Sequence, residues 1–276
     1  MLFNATEGST PIGASAMPWV RFGHGKRTLV ILPGLSDGLT TVRGKALPLA
    51  WSYRRLLDDL TIWVFSRKDP LPEGTSIRDM AADQAEVLRA LGLERVSVMG
   101  VSQGGMIAQY LAIDHPEMVE RLVLAVTAPS ATETARACVS AWMKMAEAGG
   151  HQKMMADSAA KSYSEAFLRR NRLFLPLLGL VGRPKSYARY LVNARAILAF
   201  DAAAEASKIT CPTLILGGGR DQIVGPDAAE QLHALIPGSR CHVYPGLGHA
   251  AFDEAPDFNG RVRDFVMEEA QEADGK

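Results

Sequence analysis

A serine between glycines is the part of this sequence that most directly suggests chemistry. Residues 95–105 read RVSVMGVSQGG: an apolar, strand-like run enters the pattern G-x-S-x-G at Gly100, Ser102 and Gly104, and a helical segment follows. A strand that turns sharply into a helix strains its turn residue, and flanking glycines let the neighbouring backbones approach. We therefore predict a nucleophilic Ser102, with the backbone N–H of Gln103 at the start of the helix facing a developing oxyanion.

Two later residues are of types that could activate this serine. Asp221 follows the apolar run PTLIL and several glycines. His249 ends the segment PGLGH, which comes directly after another strand-like run. The other histidines lack such a context. A histidine can act as the general base that takes a serine proton, and a carboxylate can orient such a base, which makes His249 and Asp221 candidates for these roles. A carboxylate that only caps a loop turn is the alternative for Asp221.

Alternating strands and helices must position these residues. Strand-like runs are predicted at residues 19–23, 28–32, 61–65, 95–101, 121–126, 212–216 and 241–244. Helices with apolar residues at a 3.6-residue period are predicted at residues 76–93, 103–113, 226–235 and 255–269. Several strands are almost entirely apolar, which is typical of parallel strands covered on both faces. The chain is therefore predicted to be an α/β protein with a mostly parallel, doubly wound sheet.

One long stretch interrupts this alternation. Residues 130–205 contain no strand-like run but are rich in Ala, Met and Leu, which are strong helix formers. We predict a helical cap inserted at residues 130–205, with a core made of residues 1–129 and 206–276. The cap holds eleven Lys or Arg and six Asp or Glu. This excess of positive charge is explained either by solvated helix faces or by a role in mild attraction of an anionic substrate.

Taken together, these segments resemble the capped α/β-hydrolases related to esterases, enol-lactonases and proline iminopeptidases. The resemblance covers nearly all of the chain except the cap, and it implies the α/β-hydrolase fold with Ser102, Asp221 and His249 as the catalytic triad. The segment LVILPGLSDG, residues 29–38, is similar to the loop whose backbone N–H supplies a second oxyanion donor. Leu35 takes that place in this sequence.

Two departures from the family pattern concern the surroundings of the site. Pro33 stands where the family usually has histidine, which affects how the oxyanion loop is anchored. The resemblance also places Ser36 and Asp37 near the site. After the run TIWVF the chain reads SRKDPLPEG, where many relatives have D-x-R-G-x-G. Arg67 in this segment either contacts the substrate, supports the turn at Ser102, or lies in a surface loop.

The resemblance implies hydrolysis of a small-molecule carboxylic ester or lactone through an acyl-enzyme on Ser102. The same triad also serves C–C bond hydrolases, aminopeptidases and acyltransferases, and some relatives keep the fold as non-catalytic ligand-binding proteins. Haloalkane dehalogenase and epoxide hydrolase chemistry are disfavoured because both use Asp in place of Ser102. No metal or cofactor is expected, and the substrate is expected to be a largely apolar acyl compound.

Composition and charge narrow the class of protein further. The 276 residues carry 30 Lys or Arg and 30 Asp or Glu, so no net positive field favours nucleic-acid binding. No apolar run is long enough to span a bilayer, and the first residues lack the features of a secretory signal. The three cysteines have neither zinc-site nor disulfide spacing. We therefore expect a cytoplasmic protein without a membrane span, and its oligomeric state is left open.

Overall fold

An eight-stranded sheet forms the centre of the molecule. The computed structural model describes residues 2–173 and 182–269. The strands are β1 Thr6–Ile12, β2 Ser15–Gly23, β3 Arg27–Leu32, β4 Leu60–Phe65, β5 Val96–Val101, β6 Val119–Ala125, β7 Thr213–Gly218 and β8 Arg240–Tyr244. Across the sheet their order is β1-β2-β4-β3-β5-β6-β7-β8. β2 pairs antiparallel with β1 and β4, and the other neighbours are parallel. The predicted mostly parallel sheet is confirmed.

Helices connect and cover the strands. The described residues form α1 Ala46–Ser52, α2 Ile77–Ala90, α3 Gln103–Asp114, α4 Glu133–Glu147, α5 His151–Ser162, α6 Glu165–Asn171, α7 Ala188–Leu198, α8 Ala228–Leu235, α9 Ala251–Glu254 and α10 Phe258–Met267. Ser76 caps the start of α2 reciprocally. The Ser76 side chain accepts a hydrogen bond from the Asp79 N–H, and the Asp79 carboxylate accepts one from the Ser76 N–H. The helix predicted at residues 255–269 starts later, because Pro256 keeps Ala255 extended at ψ 118.

Two elements were not predicted from the sequence. β1 reads TEGSTPI, with a polar and mostly exposed pattern, and antiparallel pairing with β2 orders it at the edge of the sheet. α1 reads ALPLAWS, and it buries Ala50 while it leaves Leu47 and Trp51 exposed. Neither segment has the apolar period on which a prediction from sequence depends. Each is ordered instead by contacts with residues elsewhere in the fold.

Alternate residues of the central strands point to opposite faces of the sheet, and helices cover both faces. In β3, Val30 and Leu32 join the apolar cluster that includes residues of α2, α3 and α8. Leu29 and Ile31 join the cluster that includes residues of α1 and α10. All four side chains are buried. The strand is therefore apolar from Leu29 to Leu32, as expected for a doubly wound sheet.

The chain between β6 and β7, which we call the helical insert, is helical wherever the structure describes regular elements in it. α4, α5, α6 and α7 all lie in the helical insert, and a 3₁₀-helix at Ala203–Lys208 leads back to β7 beside β6. The predicted cap also includes residues 174–181, which lie outside the described residues. Its boundaries at residues 130 and 205 stay a prediction. Within the described chain, no helix combines the length and apolar character needed to cross a bilayer.

β5, α3 and the end of β3 meet where two glycines allow very close contact. A Cβ on Gly100 in β5 would overlap the backbone of Gly104 and Gly105 in α3. A Cβ on Gly104 would overlap the carbonyl oxygen of Leu32, the last residue of β3. Because glycine alone has no Cβ, these positions let the first turn of α3 pack against two strands. The packing sets the direction of the turn at Ser102.

Replacing Gly104 by Ala should destabilise the fold, because the new methyl group overlaps backbone that cannot move without separating α3 from β3. We expect the free energy of unfolding, measured by urea denaturation, to fall by about 3 kcal/mol. Gly260→Ala is the matched control, since Gly260 lies in α10 with open space around its Cβ position. That substitution should raise stability by up to about 1 kcal/mol. Equal effects of the two substitutions would contradict this account of the turn.

Candidate active site

Ser102 occupies the turn between β5 and α3 in a conformation that residues other than glycine rarely adopt. Its backbone angles are φ 54 and ψ −119, which are those of the first central residue of a type II′ turn. Its N–H donates to the Ala125 carbonyl oxygen at 2.9 Å, and its carbonyl oxygen accepts the Gly105 N–H at 2.8 Å. The neighbouring strand and helix thus hold a strained serine at the carboxyl end of β5.

The structure brings the three predicted side chains into one hydrogen-bonded chain. His249 Nε2 lies 2.9 Å from Ser102 Oγ, and His249 Nδ1 lies 2.7 Å from Asp221 Oδ2. The other carboxylate oxygen of Asp221 accepts the backbone N–H groups of Ile223 and Val224 at 2.8 and 3.0 Å. Asp221 is thereby fixed beside His249, and it favours the tautomer with the proton on Nδ1. This geometry suits transfer of the serine proton to Nε2.

The topology of the sheet explains why residues so far apart in the sequence meet. Ser102 follows β5, Asp221 follows β7 and His249 follows β8. Because these strands are parallel, their carboxyl ends lie along the same edge of the sheet. The two later loops are also joined directly, since the Arg220 N–H donates to the Leu247 carbonyl oxygen at 2.9 Å. Asp221 and His249 are 3% and 8% exposed, so their hydrogen bond is shielded from water.

The two predicted oxyanion donors lie on either side of this turn. The backbone N–H groups of Leu35 and Gln103 have no hydrogen-bond acceptor among residues 2–173 and 182–269. Gln103 begins α3, and Leu35 begins a short 3₁₀-helix directly after the loop that follows β3. A Cβ on Gly34 would stand 3.3 Å from the Cβ of Ser102, so this loop passes close to the serine. The role of both N–H groups in catalysis stays a prediction.

A cluster of two arginines and one aspartate lies behind the loop that carries Leu35, and Arg189 is its partly exposed member. The Asp37 carboxylate lies 2.7 Å from Arg189 Nη2 and 3.6 Å from Arg67 Nη1, and it accepts the Arg67 backbone N–H at 3.0 Å. The side chains of Arg67 and Asp37 are 2% and 1% exposed. Burial alone raises the pKa of Asp37, but the guanidinium groups of Arg189 and Arg67, together with hydrogen bonds from Ser66 and the Arg67 N–H, hold that pKa below its ordinary value.

The position of Asp37 differs from the prediction that it lies near the substrate. Its side chain is held in these ion pairs and does not line the cavity beside Ser102, whereas Ser36 does line that cavity. The guanidinium groups of Arg67 and Arg189 stabilise this orientation, because a carboxylate without cationic partners would be costly to bury there. Asp37 also anchors the loop in which Pro33 stands where the family usually has histidine. The ion pairs hold this loop without that histidine.

Arg67 does not lie in a surface loop, which was one of the three interpretations of its segment. It donates to the Gly34 carbonyl oxygen at 3.2 Å and to Gln103 Oε1 at 2.8 Å, so it supports the turn at Ser102 from behind. Its partner Arg189, on α7, was missed by reasoning from the sequence. Nothing in the local pattern of a helix distinguishes a surface arginine from one that pairs across the fold.

A cavity of about 380 Å³ opens onto Ser102 and His249. Its wall is mostly apolar, and both the core and the helical insert contribute to it. Trp142, Met155 and Ile197 line it from the helical insert, and the core adds residues such as Met106, Ile223, Val224 and Phe252. The helical insert therefore shapes the space above the serine.

One polar pair interrupts this apolar wall. Asp253 and Tyr163 both line the cavity, and the Tyr163 hydroxyl donates to Asp253 Oδ2 at 2.9 Å. No Lys or Arg occurs among the described residues that line the cavity. Across the described parts of the chain, no three His, Cys, Asp or Glu side chains are grouped so as to hold a metal ion. The cavity thus presents apolar surface, hydroxyl groups and one carboxylate besides His249.

The loop after His249 is hydrogen-bonded to the helical insert. The Ala250 N–H donates to the Ser162 carbonyl oxygen at 2.9 Å. Ser164 donates to the Glu254 carboxylate from its backbone N–H at 2.9 Å and from its hydroxyl at 2.5 Å. These bonds join α9 to the junction between α5 and α6. His249 is therefore positioned by the helical insert as well as by β8.

Comparison with known proteins agrees with this fold. The model of the family described as alpha/beta hydrolase fold matches residues 64–256, which is most of the chain. The chain therefore belongs to the alpha/beta hydrolase fold family, and it is a hydrolase. The predicted α/β-hydrolase fold is confirmed.

Named relatives and solved structures extend this similarity. The chain is 30% identical over 198 residues to the "Putative carbamate hydrolase RutD" of Klebsiella pneumoniae, which covers 71% of this chain and 74% of that protein. It is 29% identical over 260 residues to the 2-hydroxy-6-oxononadienedioate/2-hydroxy-6-oxononatrienedioate hydrolase 2 of Pseudomonas putida, with 89% of each chain covered. The enol-lactonase of Burkholderia xenovorans shares the fold, with a TM-score of 0.79 at 19% identity over 95% of this chain and 100% of that chain.

Ser102→Gly should be more stable than Ser102→Ala, because glycine adopts the backbone angles of this turn without strain. We expect a difference of about 1 kcal/mol in the free energy of unfolding, measured by urea denaturation. Ser140, inside α4, is the matched control, since Ser140→Gly should be less stable than Ser140→Ala by about 1 kcal/mol. The same order of stability at both sites would show that residue 102 is not strained.

Proposed function

We propose that this hydrolase cleaves a small carboxylic ester or lactone through an acyl-enzyme on Ser102, with His249 as general base and Asp221 as the acid that orients it. The observation that carries the proposal is the hydrogen-bonded chain from Ser102 Oγ through His249 to Asp221, at the end of a mostly apolar cavity. A serine hydroxyl is a weak nucleophile by itself, and an adjacent base held by a carboxylate activates it.

The reaction proceeds in two halves. His249 Nε2 takes the hydroxyl proton as Ser102 Oγ attacks the acyl carbon, and the N–H groups of Leu35 and Gln103 donate to the oxyanion that forms. Each donor contributes on the order of 3 kcal/mol. Protonated His249 then gives its proton to the leaving oxygen, which departs as an alcohol or remains as the far end of an opened lactone. Water activated by His249 releases the acid and restores the serine.

The lining of the cavity supports a neutral and largely apolar acyl substrate. Trp142, Met155 and Ile197 offer apolar surface to an acyl chain, and burying the chain contributes roughly 0.8 kcal/mol per methylene group. Asp253 would repel a carboxylate on the substrate, and no described lining residue carries a positive charge to pair with one. Because Trp142, Met155 and Ile197 belong to the helical insert, we also propose that residues 130–205 act as the cap that sets specificity.

A C–C bond hydrolase on the same three residues is the second candidate. It is favoured by the similarity to the Pseudomonas putida hydrolase, whose named substrates are dioates and therefore carry two carboxylates. A dianion inside a cavity needs cationic partners, and the described lining residues supply none. The charge of the cavity therefore favours ester or lactone hydrolysis over this reaction.

Ser102→Ala should abolish hydrolysis of p-nitrophenyl esters of graded chain length, with kcat reduced on the order of 10⁶-fold. Asp221→Asn should reduce kcat on the order of 10⁴-fold, because an amide no longer favours the required tautomer of His249. A fluorophosphonate probe should label Ser102 in the wild type, located by mass spectrometry, and should not label Ser102→Ala.

Lactones, aminoacyl amides and alcohol acceptors in the same panel separate the remaining reactions. Faster turnover of aminoacyl amides than of esters would favour an aminopeptidase. Transfer of the acyl group to the alcohol would favour an acyltransferase. Full esterase activity in Ser102→Ala would exclude Ser102 as the nucleophile. A wild-type protein that neither turns over esters nor reacts with the probe would favour a ligand-binding role.

The enzyme should discriminate against negative charge on the acyl chain. We expect kcat/KM for p-nitrophenyl hexanoate to exceed that for p-nitrophenyl hydrogen adipate, which has the same chain length and a terminal carboxylate. Asp253→Asn should narrow this ratio by roughly fivefold, which corresponds to about 1 kcal/mol of repulsion. Asp264→Asn is the control, because it removes an equal charge at a site 73% exposed on α10 and should leave the ratio unchanged. Preference for the adipate monoester would contradict a neutral substrate.

A further inference from the structure

The guanidinium group of Arg67 is hydrogen-bonded beside both candidate oxyanion donors. It contacts the peptide that carries the Leu35 N–H and the side chain of Gln103. Arg67 Nη1 donates to the Gly34 carbonyl oxygen at 3.2 Å, and Arg67 Nη2 donates to Gln103 Oε1 at 2.8 Å. The Gln103 side chain is also fixed from the other side, because its Nε2 donates to the Asn193 carbonyl oxygen at 2.9 Å. Arg67 and Gln103 are buried, so water does not compete for these hydrogen bonds.

The Gly34 carbonyl and the Leu35 N–H belong to the same peptide unit. A hydrogen bond to a peptide oxygen polarises the whole unit, and its N–H becomes a stronger donor by about 10–30% per bond. This oxygen accepts two hydrogen bonds, one from Arg67 and one from the Asp37 N–H at 3.2 Å. The Leu35 N–H has no acceptor in the described chain. The polarised donor is therefore available to a substrate at Ser102.

We propose that Arg67 is a positioning residue for the oxyanion hole, which orients the Leu35 and Gln103 peptides together and strengthens the Leu35 donor. This role rests on the serine hydrolase function proposed above. Negative charge develops on the substrate oxygen only as Ser102 attacks, so the stabilisation acts on the transition state more than on the bound substrate. Loss of Arg67 should therefore lower kcat and leave KM nearly unchanged.

The surrounding ion pairs keep this guanidinium charged and in place. Burial lowers the pKa of Arg67 to about 10, and the Asp37 carboxylate limits the fall, so the group remains protonated at neutral pH. Arg189 binds the same carboxylate and donates to the Arg67 carbonyl oxygen at 3.0 Å. Two cations and one anion leave a net positive charge behind the oxyanion loop. That sign stabilises an oxyanion.

Arg67→Gln and Arg67→Lys test this role. On a neutral p-nitrophenyl ester, Arg67→Gln should lower kcat on the order of 100-fold and change KM by less than about threefold. Arg67→Lys keeps a cation but cannot contact Gly34 and Gln103 together, so it should lower kcat by about tenfold. An alkyl trifluoromethyl ketone forms a tetrahedral adduct with Ser102. Its affinity should fall by the same factor as kcat in each variant, while the unfluorinated ketone should bind unchanged.

Arg189→Gln is the matched control. It removes a guanidinium from the same cluster and from the same Asp37 carboxylate, but among the described residues Arg189 donates hydrogen bonds to Asp37 and Arg67 and to neither Gly34 nor Gln103. Its Tm, measured by circular dichroism, should fall about as far as that of Arg67→Gln. Its kcat and its affinity for the trifluoromethyl ketone should fall less than in Arg67→Gln, because it removes one charge of the cluster but leaves both hydrogen bonds from Arg67 to Gly34 and Gln103 in place. The comparison separates support of the fold from support of the oxyanion.

Three results would overturn the proposal. They are a fall in kcat without a matching loss of trifluoromethyl ketone affinity, a raised KM with wild-type kcat, and an equal loss of kcat in Arg189→Gln. If Arg67→Gln fails to fold, Arg67→Lys decides alone, and wild-type kcat and ketone affinity in that variant overturn the proposal. Failure of the serine hydrolase function is distinct, because it would leave Ser102 of an active wild-type enzyme unlabelled by fluorophosphonate.

Discussion

The site depends most on the close crossing of β5, α3 and the end of β3, where Gly100 and Gly104 leave no room for a side chain. This contact makes the chain reverse direction at one residue, so Ser102 adopts a positive φ. The strain is tolerated because the surrounding elements are packed and hydrogen-bonded around it. A looser turn would relax the serine and would also release the start of α3, which holds the Gln103 N–H. Backbone packing thus places the proposed nucleophile and one proposed oxyanion donor together.

The fixed charges of the site are opposite in sign to the charges that the proposed reaction creates beside them. Attack by Ser102 produces an imidazolium at His249 and an oxyanion near Leu35. Asp221 lies beside the imidazolium on the side away from the serine, and the cluster of Arg67, Asp37 and Arg189, with its net positive charge, lies behind the oxyanion loop. Charges that are already oriented in a buried site need no rearrangement when the reaction occurs. The described cavity between them is mostly apolar.

Sequence patterns predicted what depends on neighbours along the chain. The central strands could be identified because strands buried on both faces are apolar throughout, and Ser102 because its motif and its turn are contiguous. The polar edge strand β1 has no such pattern, and neither does α1. The pairing of charges behind the oxyanion loop could not be predicted from the sequence for another reason. Arg189 is 152 residues from Asp37, and Arg67 is 36 residues from Gln103. Whether an arginine is solvated or paired in the interior is decided only when distant segments meet.

The hydrogen bonds between α9 and the α5–α6 junction have a consequence for the evolution and redesign of this enzyme. Ser162 and Ser164 of the helical insert hold the chain directly after His249. An insert grafted from a relative would bring a new pocket, but it would arrive without these contacts and would loosen the support of the histidine. If the proposed roles of the helical insert and of His249 hold, substrate preference and alignment of the base cannot be exchanged independently. A chimaera that changes one must retain or rebuild residues 162–164 to keep the other.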